Sequence, residues 1–364
     1  MAFSSPPRAT WPDVLTALVG GQDLDYESAA WAMDRIFSGD ASPSQVAAFA
    51  VALRAKGESV EELAALAEVM LAHAHRLPTP PESIDIVGTG GDRAQTVNIS
   101  TMSALVLAGT GLQVVKHGNR AASSASGSAD VLESLGVDLT LSPAEVAAVG
   151  NQAGITFCFA QAFHPAMRHA APTRRELGIS TAFNLLGPLT NPAQPTYAAV
   201  GVADARVAPL MAGVFARRGK DAVVFRGEDG LDEASIAAPT RMWWVSSGVV
   251  TEHLLTVEDV GLTPAPLESL RGGDPEHNAG VAREMLTGRG RAGEDPWPVR
   301  DAVLLNAGIA LALARAGLAP GSSTQEVQTA VIDGIATAAD CIDSGAAAAV
   351  LERWVAATRA SAGR

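Results

Sequence analysis

Short apolar strands begin to alternate with helices at about residue 83, and this alternation leaves few folds open to the chain. Helical segments, such as 142–152 with its capping box, lie between most of the strands. Strands that alternate with helices form a mainly parallel sheet covered on both faces. We therefore predict an α/β fold with a mainly parallel central sheet flanked by helices. The predicted strands are 84–87, 113–116, 155–160, 198–202 and 221–225.

The N-terminal part, residues 1–77, carries helix signals instead. Ser42–Gln45 is a capping box with proline at the first helical position, and Ser59–Glu62 is a second capping box. We predict a small helical domain here, followed by a stiff linker with prolines at 78, 80 and 81. The turn-rich segment 184–192 is predicted to be a hinge between domains.

Composition argues against disorder and against general binding to nucleic acid. Apolar residues make up 48% of the 364 residues and charged residues 18%, whereas disordered chains combine low hydrophobicity with high charge. Asp and Glu number 39 against 26 Lys and Arg, so the formal charge is −13. The chain has no positive excess with which to release phosphate counterions. An anionic ligand therefore needs a locally basic site.

The cysteines and the apolar runs bear on location. Cys158 and Cys341, the only cysteines, suggest neither a disulfide framework nor a zinc cluster, and they fit a reducing compartment. The first eight residues contain no apolar signal core, and the longest apolar runs, such as 303–314, are too short to span a bilayer. We expect a cytoplasmic protein without a membrane partner.

Two segments that directly follow strands carry groups suited to phosphate. Val87–Asp92 contains three glycines, which let the backbone approach a ligand, and the helix that starts at 98–100 offers free N–H groups to an anion. The glycine spacing matches neither a Walker loop nor a dinucleotide fingerprint. Lys116–Ser128 concentrates two cations, a histidine, an asparagine, four serines and two glycines. This composition favours a cradle for phosphate groups.

Two further segments add carboxylates and arginines. Gly227–Glu233 has four carboxylates in seven residues, which repel one another unless a cation such as Mg²⁺ lies among them. Arg168, Arg174 and Arg175 supply the fixed charge that a carboxylate or phosphate substrate needs. Together the four segments predict a polyphosphorylated small molecule bound with Mg²⁺, and a second anionic substrate. Kinase, nucleotidyltransferase and phosphoribosyltransferase activities all remain open on these grounds.

Four motifs closely resemble those of the anthranilate phosphoribosyltransferase family in order and spacing: Gly88–Asp92, Asn98–Thr101, Lys116–Ser124 and Asn184–Pro192. The resemblance extends from about Trp11 to the C-terminal helices. It implies transfer of the 5-phosphoribosyl group from 5-phosphoribosyl 1-diphosphate (PRPP) to the amine of anthranilate. The products would be N-(5-phosphoribosyl)anthranilate and pyrophosphate, in tryptophan biosynthesis. The resemblance also implies Mg²⁺, with two ions per subunit, and a homodimer.

The same resemblance implies how the domains are arranged. Residues 1–77 form the small helical domain, which a returning segment at about 165–190 joins. Residues 83–164 and 192–364 form the larger α/β domain of the nucleoside phosphorylase and phosphoribosyltransferase type. Hinges are expected at about 78–82 and 184–192.

Transferred position by position, the resemblance implies three sets of site residues. The residues expected to bind PRPP are Gly88, Gly91, Asp92, Thr96, Asn98, Ser100, Thr101, Lys116, Asn119, Ser123, Ser124 and Ser128. The residues expected to bind anthranilate are Gly88, Asn119, Arg174, His117 and His164, with Arg174 meeting the substrate carboxylate. The residues expected to bind the metal are Ser100, Asp232 and Glu233.

The chemistry of the implied reaction agrees with these residue types. Displacement at the ribose C1 carbon develops positive charge on the sugar and negative charge on the leaving pyrophosphate. Mg²⁺ and Lys116 are expected to stabilise the leaving group. Because the aromatic amine of anthranilate is neutral at pH 7, we assign no residue as a general base and expect positioning and charge to dominate.

Two alternative functions are less consistent with these residues. A pyrimidine nucleoside phosphorylase shares the overall architecture, but its phosphate loop differs from Lys116–Ser124 and it needs no metal pair such as Asp232 and Glu233. A family-like protein that has lost catalysis and binds nucleic acid would need a basic groove, against the charge of −13. Arg93 follows the glycine turn where family members often carry a small residue, which leaves the conformation of 92–95 open.

Overall fold

The computed structural model describes residues 9–78, 80, 82–121, 125–288 and 297–363. The strands in these residues are β1 (Ser83–Gly88), β2 (Gln113–Gly118), β3 (Ile155–Phe159), β4 (Tyr197–Gly201), β5 (Asp221–Gly227), β6 (Thr240–Ser246) and β7 (Val249–Leu255). They form one sheet in the order β3-β2-β1-β4-β5-β6-β7. All five predicted strands are present within two residues of their expected ends.

Helices precede the sheet, cover it and close the chain. In order they are α1 (Trp11–Val19), α2 (Tyr26–Phe37), α3 (Pro43–Lys56), α4 (Val60–Ala72), α5 (Ile99–Gly109), α6 (Ser128–Leu135), α7 (Pro143–Ala153), α8 (Ala160–Phe163), α9 (Ala171–Leu177), α10 (Ala182–Leu185), α11 (Ala208–Arg217), α12 (Pro275–Leu286), α13 (Pro298–Arg315), α14 (Thr324–Asp343) and α15 (Ala346–Ser361). Short 3₁₀ helices occupy Pro165–His169, Gly187–Leu189, Glu258–Val260 and Leu267–Leu270. The capping boxes at Ser42, Ser59 and Ser142 form as predicted.

Strands β1 to β5 pair in parallel, which confirms the predicted mainly parallel sheet. Strands β6 and β7 pair antiparallel and were not predicted. In β7 the apolar side chains of Val249, Val250 and Leu254 are all exposed, so this edge strand lacks the alternation of apolar and polar residues that identifies a half-buried strand. The C-terminal half of the sheet is therefore mixed in direction.

The strand order reverses at β1. From β1 the chain moves to β2 and β3 on one side, and it later returns to β4 on the other side. Gly88 at the end of β1 lies in register with Gly201 at the end of β4. In open α/β sheets, ligands bind at the carboxyl ends of strands where the order reverses in this way. The fold thus places the glycine turn after β1 at the expected ligand position.

Alternating residues of the strands pack into two cores. Ile84 and Ile86 belong to the core that β1 shares with α5 and α13 to α15. Val87 and Val200 belong to the core on the other face, with α11 and helices α1 to α4. Helices α9 and α10 contact α3, and Phe183 packs into that second core. The returning segment therefore lies against the N-terminal helices.

No single helix in the described ranges is long and apolar enough to cross a membrane. Helices α14 and α15 reach the necessary length and apolar composition only when taken together, and the pair is bent by 64°.

Two glycines let α13 and α14 cross closely on the outside of the sheet. A Cβ atom on Gly334 would lie 2.3 Å from the carbonyl oxygen of Gly308, and a Cβ atom on Gly308 would lie 2.6 Å from Cγ1 of Ile335. Both distances are far below van der Waals contact, and on the Gly334 side the neighbour is backbone. The crossing therefore requires glycine at these positions.

We expect Gly334→Ala to lower the free energy of unfolding by about 1–3 kcal/mol, because overpacking forces the helix backbones apart. Urea unfolding measures this change. The matched control is Gly280→Ala in α12, where a Cβ atom would have no neighbour within 4 Å. The control should raise the free energy of unfolding by roughly 0.5–1 kcal/mol. Equal effects of the two substitutions would contradict the packing argument.

Candidate active site at the carboxyl ends of the central strands

The glycine turn after β1 and the acidic turn after β5 are packed against each other. A Cβ atom on Gly88 would lie 2.3 Å from Oδ2 of Asp232, and one on Gly201 would lie 1.8 Å from the Asp232 carbonyl oxygen. The Gly90 N–H donates to Asp232 Oδ2 at 2.6 Å. Gly90 and Gly91 have φ values of 71° and 91°, in the left-handed region. Glycine is therefore required on both strands for Asp232 to reach the turn.

The acidic turn divides into a surface half and a buried half. Glu228 accepts a hydrogen bond from Arg241 at 2.7 Å, and Asp229 accepts one from the Ser235 hydroxyl at 2.7 Å. Both of these acids are exposed. Asp232 and Glu233 are each only 8% exposed. Only the last two of the four carboxylates thus belong to the site.

Asn306 of α13 holds the buried half of the turn in place. Its side-chain oxygen accepts from the Ala234 N–H at 2.9 Å, and its Nδ2 donates to the Ala234 carbonyl at 3.0 Å. This residue interrupts the longest apolar run of the sequence. Its role in anchoring the acidic turn was not predicted.

Lys116 is buried beside the two carboxylates and is 1% exposed. Its ammonium donates to the Ile86 carbonyl at 2.7 Å and to the Ser100 hydroxyl at 3.2 Å. Burial lowers the pKa of Lys116, while the charges of Asp85, Glu233 and Asp232 oppose this shift. A lysine side chain is therefore fixed at the end of the central strands instead of extending from a surface loop.

The two carboxylates are destabilised in their ionised form. Burial raises the pKa of Asp232 well above its usual range, and the nearby Asp92 and Glu233 raise it further. Burial also raises the pKa of Glu233 to about 7, although Lys116 opposes the shift. A cation bound between two buried carboxylates would reduce the repulsion between their like charges.

The donor set at this position fits Mg²⁺. Oε2 of Glu233 is buried and has no hydrogen-bond partner among the described residues, and the Ser100 hydroxyl lies beside Lys116. In the described ranges there is no group of three or more His, Cys, Asp or Glu side chains that could hold a metal ion by itself. Mg²⁺ is usually held by one or two carboxylates together with substrate phosphates, and Asp232 and Glu233 match that pattern.

The N-terminus of α5, which was predicted to hold phosphates, is partly occupied by protein groups. The Ser100 N–H donates to Glu233 Oε1 at 3.2 Å, and the Thr101 N–H donates to the Asn98 carbonyl. The Asn98 side chain donates to the Ser126 carbonyl and accepts from Asn278. Both polar atoms of the Asn98 side chain are thus used within the protein, so that in this structure the side chain joins α5, α12 and the loop before α6.

The remaining predicted residues near the glycine turn and α5 have different surroundings in the structure. Thr101 is 1% exposed, and its hydroxyl has no hydrogen-bond partner within the described part of the chain. Thr96 lies at the other end of the turn, where it forms an isolated bridge with Arg271. Asp92 accepts from the Ala94 N–H at 3.2 Å. Arg93 is exposed and has a left-handed backbone with φ of 61°, which is uncommon for a residue other than glycine.

In the loop after β2, Arg120 contacts helix α6 and strand β3. Its guanidinium pairs with Asp130 and Glu133 of α6 at 3.0 and 2.5 Å, and it lies 5.5 Å from the ring centre of Phe159. Arg120, the second cation of the predicted phosphate cradle, is therefore bound to protein carboxylates. Asn119 is exposed, and Ser128 begins α6. The predicted ligands Ser123 and Ser124 lie outside the described residues.

The predicted anthranilate residues include two buried, neutral histidines. The rings of His117 and His164 are 5.1 Å apart. Burial lowers the pKa of His117 to about 4 and that of His164 to about 3, so neither ring is charged at pH 7. His117 Nδ1 is 2.9 Å from the Gly187 carbonyl.

Arg174 differs from its two neighbouring arginines. Arg168 and Arg175 are exposed, whereas burial lowers the pKa of Arg174. Its guanidinium lies 5.6 Å from the ring centre of Phe183, and no carboxylate among the described residues is within ion-pair distance of it. A half-buried, unpaired guanidinium suits a substrate carboxylate.

Most of the chain is similar to proteins of one known family. Residues 12–74 match the helical bundle domain of the glycosyl transferase family, and residues 80–348 match the a/b domain of that family. The chain is 58% identical over 351 residues to an anthranilate phosphoribosyltransferase of Streptomyces griseus, and the match covers 96% of each chain.

Two similar proteins have solved structures. The anthranilate phosphoribosyltransferase of Thermus thermophilus is 42% identical, with a TM-score of 0.85 over 95% of this chain and 99% of that one. The Saccharomyces cerevisiae enzyme in complex with PRPP and Mg is 28% identical, with a TM-score of 0.80 over 98% and 95% of the chains. In complex with 4-fluoroanthranilate it is 27% identical, with a TM-score of 0.83 over 97% and 98%.

We expect Asp232→Asn to stabilise the metal-free protein at pH 8. The raised pKa means that the ionised carboxylate disfavours the folded state above its usual pKa, and each tenfold difference in proton affinity between the folded and unfolded protein corresponds to about 1.4 kcal/mol. Asparagine removes this cost and can still accept from the Gly90 N–H. Urea unfolding without metal should show a gain of roughly 1 kcal/mol or more.

The matched control is Asp229→Asn in the exposed half of the same turn, which should change stability by less than about 0.5 kcal/mol. Added Mg²⁺ should stabilise the wild-type protein more than Asp232→Asn. A loss of stability in metal-free Asp232→Asn at pH 8 would show that the buried carboxylate is not strained.

Proposed function

The chain belongs to the anthranilate phosphoribosyltransferase family, and we propose that the cluster of Lys116, Asp232 and Glu233 binds the diphosphate of PRPP together with Mg²⁺. The enzyme transfers the 5-phosphoribosyl group from PRPP to the amine of anthranilate, with release of pyrophosphate, in tryptophan biosynthesis. The observation that carries the proposal is a buried lysine on β2 beside two buried carboxylates of the turn after β5, which packs against the glycines at the ends of β1 and β4. Such a charge arrangement costs stability and is kept for chemistry.

Lys116 is suited to stabilise the leaving group. Its ammonium has three N–H donors, of which two are used by Ile86 and Ser100. The remaining donor is available for a phosphate oxygen. Because the ammonium is already fixed, no reorganisation is needed as negative charge develops on the pyrophosphate.

Asp232, Glu233 and the Ser100 hydroxyl would hold the metal. Mg²⁺ bound there neutralises charge on the diphosphate. We propose two ions per subunit, since the oxygen donors form two pairs. Asp232 lies against Asp92, and Glu233 lies against Ser100.

On the acceptor side, Arg174 is proposed to bind the anthranilate carboxylate, with His117 and His164 as walls of the site. Asn119 and Gly88 are proposed as further contacts of anthranilate. The neutral histidines do not add charge near the developing positive sugar. The neutral amine of anthranilate can attack without prior loss of a proton, so no general base is assigned. Positioning of the amine against C1 is the main contribution of this side.

Three further features of the enzyme are proposals. Segments 78–82 and 184–192 act as hinges between the two domains. A homodimer is supported by the exposed apolar residues Val19 and Val51 on α1 and α3. A cytoplasmic location is supported by Cys158 and Cys341, which are free thiols.

Lys116→Met tests the proposed diphosphate site, since methionine replaces the unbranched stem of lysine and removes the charged ammonium. The decrease of anthranilate fluorescence after addition of PRPP and Mg²⁺ measures turnover. We expect kcat to fall by roughly 100-fold or more. The control Lys220→Met should stay close to the wild type, because this half-buried lysine lies just before β5, at the end of that strand away from the acidic turn. Retained kcat in Lys116→Met would rule out this role for Lys116.

Wild-type protein that consumes no anthranilate but cleaves a pyrimidine nucleoside with phosphate would favour the phosphorylase alternative.

Arg174→Ala tests the acceptor side in the same assay. Loss of a charge-assisted contact of roughly 1.5–3 kcal/mol should raise the KM for anthranilate tenfold or more, with little change in the KM for PRPP. Arg175→Ala is the matched control, because that arginine is adjacent and exposed. If the two variants have the same KM for anthranilate, Arg174 does not bind the substrate carboxylate.

A further inference from the structure

We propose that Asp85 and Asn191 are positioning residues that hold His117 and the turn after Gly187 together as one wall of the anthranilate site. Neither residue was assigned a role from the sequence. The inference deepens the proposed function and rests on the assignment of His117 to the acceptor side. It is carried by a closed set of hydrogen bonds, which we call the Asp85 network: Asp85, His117, Gly187 and Asn191.

Asp85 is a carboxylate in the middle of an apolar strand. It lies in β1 between Ile84 and Ile86 and is 1% exposed. No cation in the described residues is within ion-pair distance of it, and burial raises its pKa to about 6, although the charge of Lys116 opposes the shift. A buried carboxylate in a central strand is unfavourable for folding, and the sheet itself does not require one. The benefit must come from what the carboxylate binds.

The two carboxylate oxygens of Asp85 accept hydrogen bonds from two different segments. One oxygen accepts from the backbone N–H of His117 at 3.1 Å, and the other accepts from Nδ2 of Asn191 at 2.8 Å. His117 directly follows Lys116 on β2, whereas Asn191 lies in the predicted hinge. Asp85 therefore joins the end of β2, where the loop that follows Lys116 begins, to the hinge segment.

Asn191 uses its whole side chain for this connection. Its Nδ2 also donates to the Val115 carbonyl at 2.7 Å, and its side-chain oxygen accepts from the Ala193 N–H at 3.0 Å. The residue is 5% exposed. It thus fixes the turn after Gly187 to the sheet by side-chain hydrogen bonds alone.

The network is closed by the His117 ring. A carbonyl oxygen can only accept, so the 2.9 Å contact with Gly187 requires that Nδ1 of His117 carries the hydrogen. Since the ring is neutral at pH 7, Nε2 is then a hydrogen-bond acceptor. This Nε2 is buried and has no partner among the described residues. A fixed acceptor of this kind suits the N–H groups of an aromatic amine.

The network therefore determines both the orientation and the tautomer of His117. Its backbone is held by Asp85, its ring is held by Gly187, and Gly187 is only four residues from Asn191, which returns to Asp85. If one member is lost, the hinge turn and the His117 ring can move independently. The effect should fall on anthranilate more than on PRPP.

Asp85→Asn tests this proposal with a side chain of the same size. The two donors meet different oxygens of Asp85, so in asparagine the NH₂ group replaces one acceptor and faces either the His117 N–H or Nδ2 of Asn191. We expect the KM for anthranilate to rise about tenfold or more. The KM for PRPP should rise several-fold less, although the substitution also removes a negative charge near Lys116. Equal increases in both KM values, or a change in kcat alone, would overturn the proposal.

Asn191→Ala and the double variant make the test independent of any one substitution. Asn191→Ala leaves β1 unchanged and should raise the KM for anthranilate in the same way. Because the two residues act through one network, the double variant should be no worse than the worse single variant. Independent effects that multiply in the double variant would contradict a shared network.

Thr358→Val separates positioning from loss of stability. This buried threonine on α15 accepts a hydrogen bond from the Asp138 N–H and lies outside the proposed site. Its substitution should lower the thermal unfolding temperature without changing the KM for anthranilate. A similar rise in that KM would mean that destabilisation alone explains Asp85→Asn.

If Arg174→Ala and Lys116→Met behave as expected and Asp85→Asn does not, only the Asp85 network is wrong. If those two variants resemble the wild type, the site assignment itself fails.

Discussion

The burial of one lysine with two carboxylates is the interaction on which the rest of the site depends. Lys116, Asp232 and Glu233 can come together only because Gly88 and Gly201 lack side chains at the ends of adjacent strands. Asn306 of α13 then holds the acidic turn through two hydrogen bonds to the Ala234 backbone. A charge cluster in this environment is unfavourable without a ligand, and this cost makes it responsive to a metal and a diphosphate.

The proposed donor and acceptor sides of the site belong to different layers of the fold. The PRPP side is built on β1, β2 and the turn after β5. The acceptor side includes Arg174, which lies on a helix that packs with the N-terminal bundle. The Asp85 network joins the two sides, because its members lie on β1, on β2 and in the segment that leads to β4. Alignment of the two substrates therefore depends on contacts across both cores.

Local patterns in the sequence were sufficient for the parallel strands, the capped helices and the family. They were insufficient where burial depends on distant segments. The acidic turn contains four carboxylates, and only the fold separates exposed Glu228 and Asp229 from buried Asp232 and Glu233. Arg120 was counted as part of a phosphate cradle because it is near Lys116 in sequence. The structure pairs it with Asp130 and Glu133, one turn apart on α6.

The sequence by itself determined the class of reaction only through the resemblance of its motifs to one family, since the residue types alone left kinase, nucleotidyltransferase and phosphoribosyltransferase activities open. It also determined the five parallel strands and the capped helices, because periodicity and capping are local properties, but not the antiparallel strands β6 and β7. The tertiary structure alone decided the roles of Asp85 and Asn191. Their partners are 32 and 76 to 106 residues away, and no local pattern records a hydrogen bond that forms only when the sheet and the hinge segment pack together.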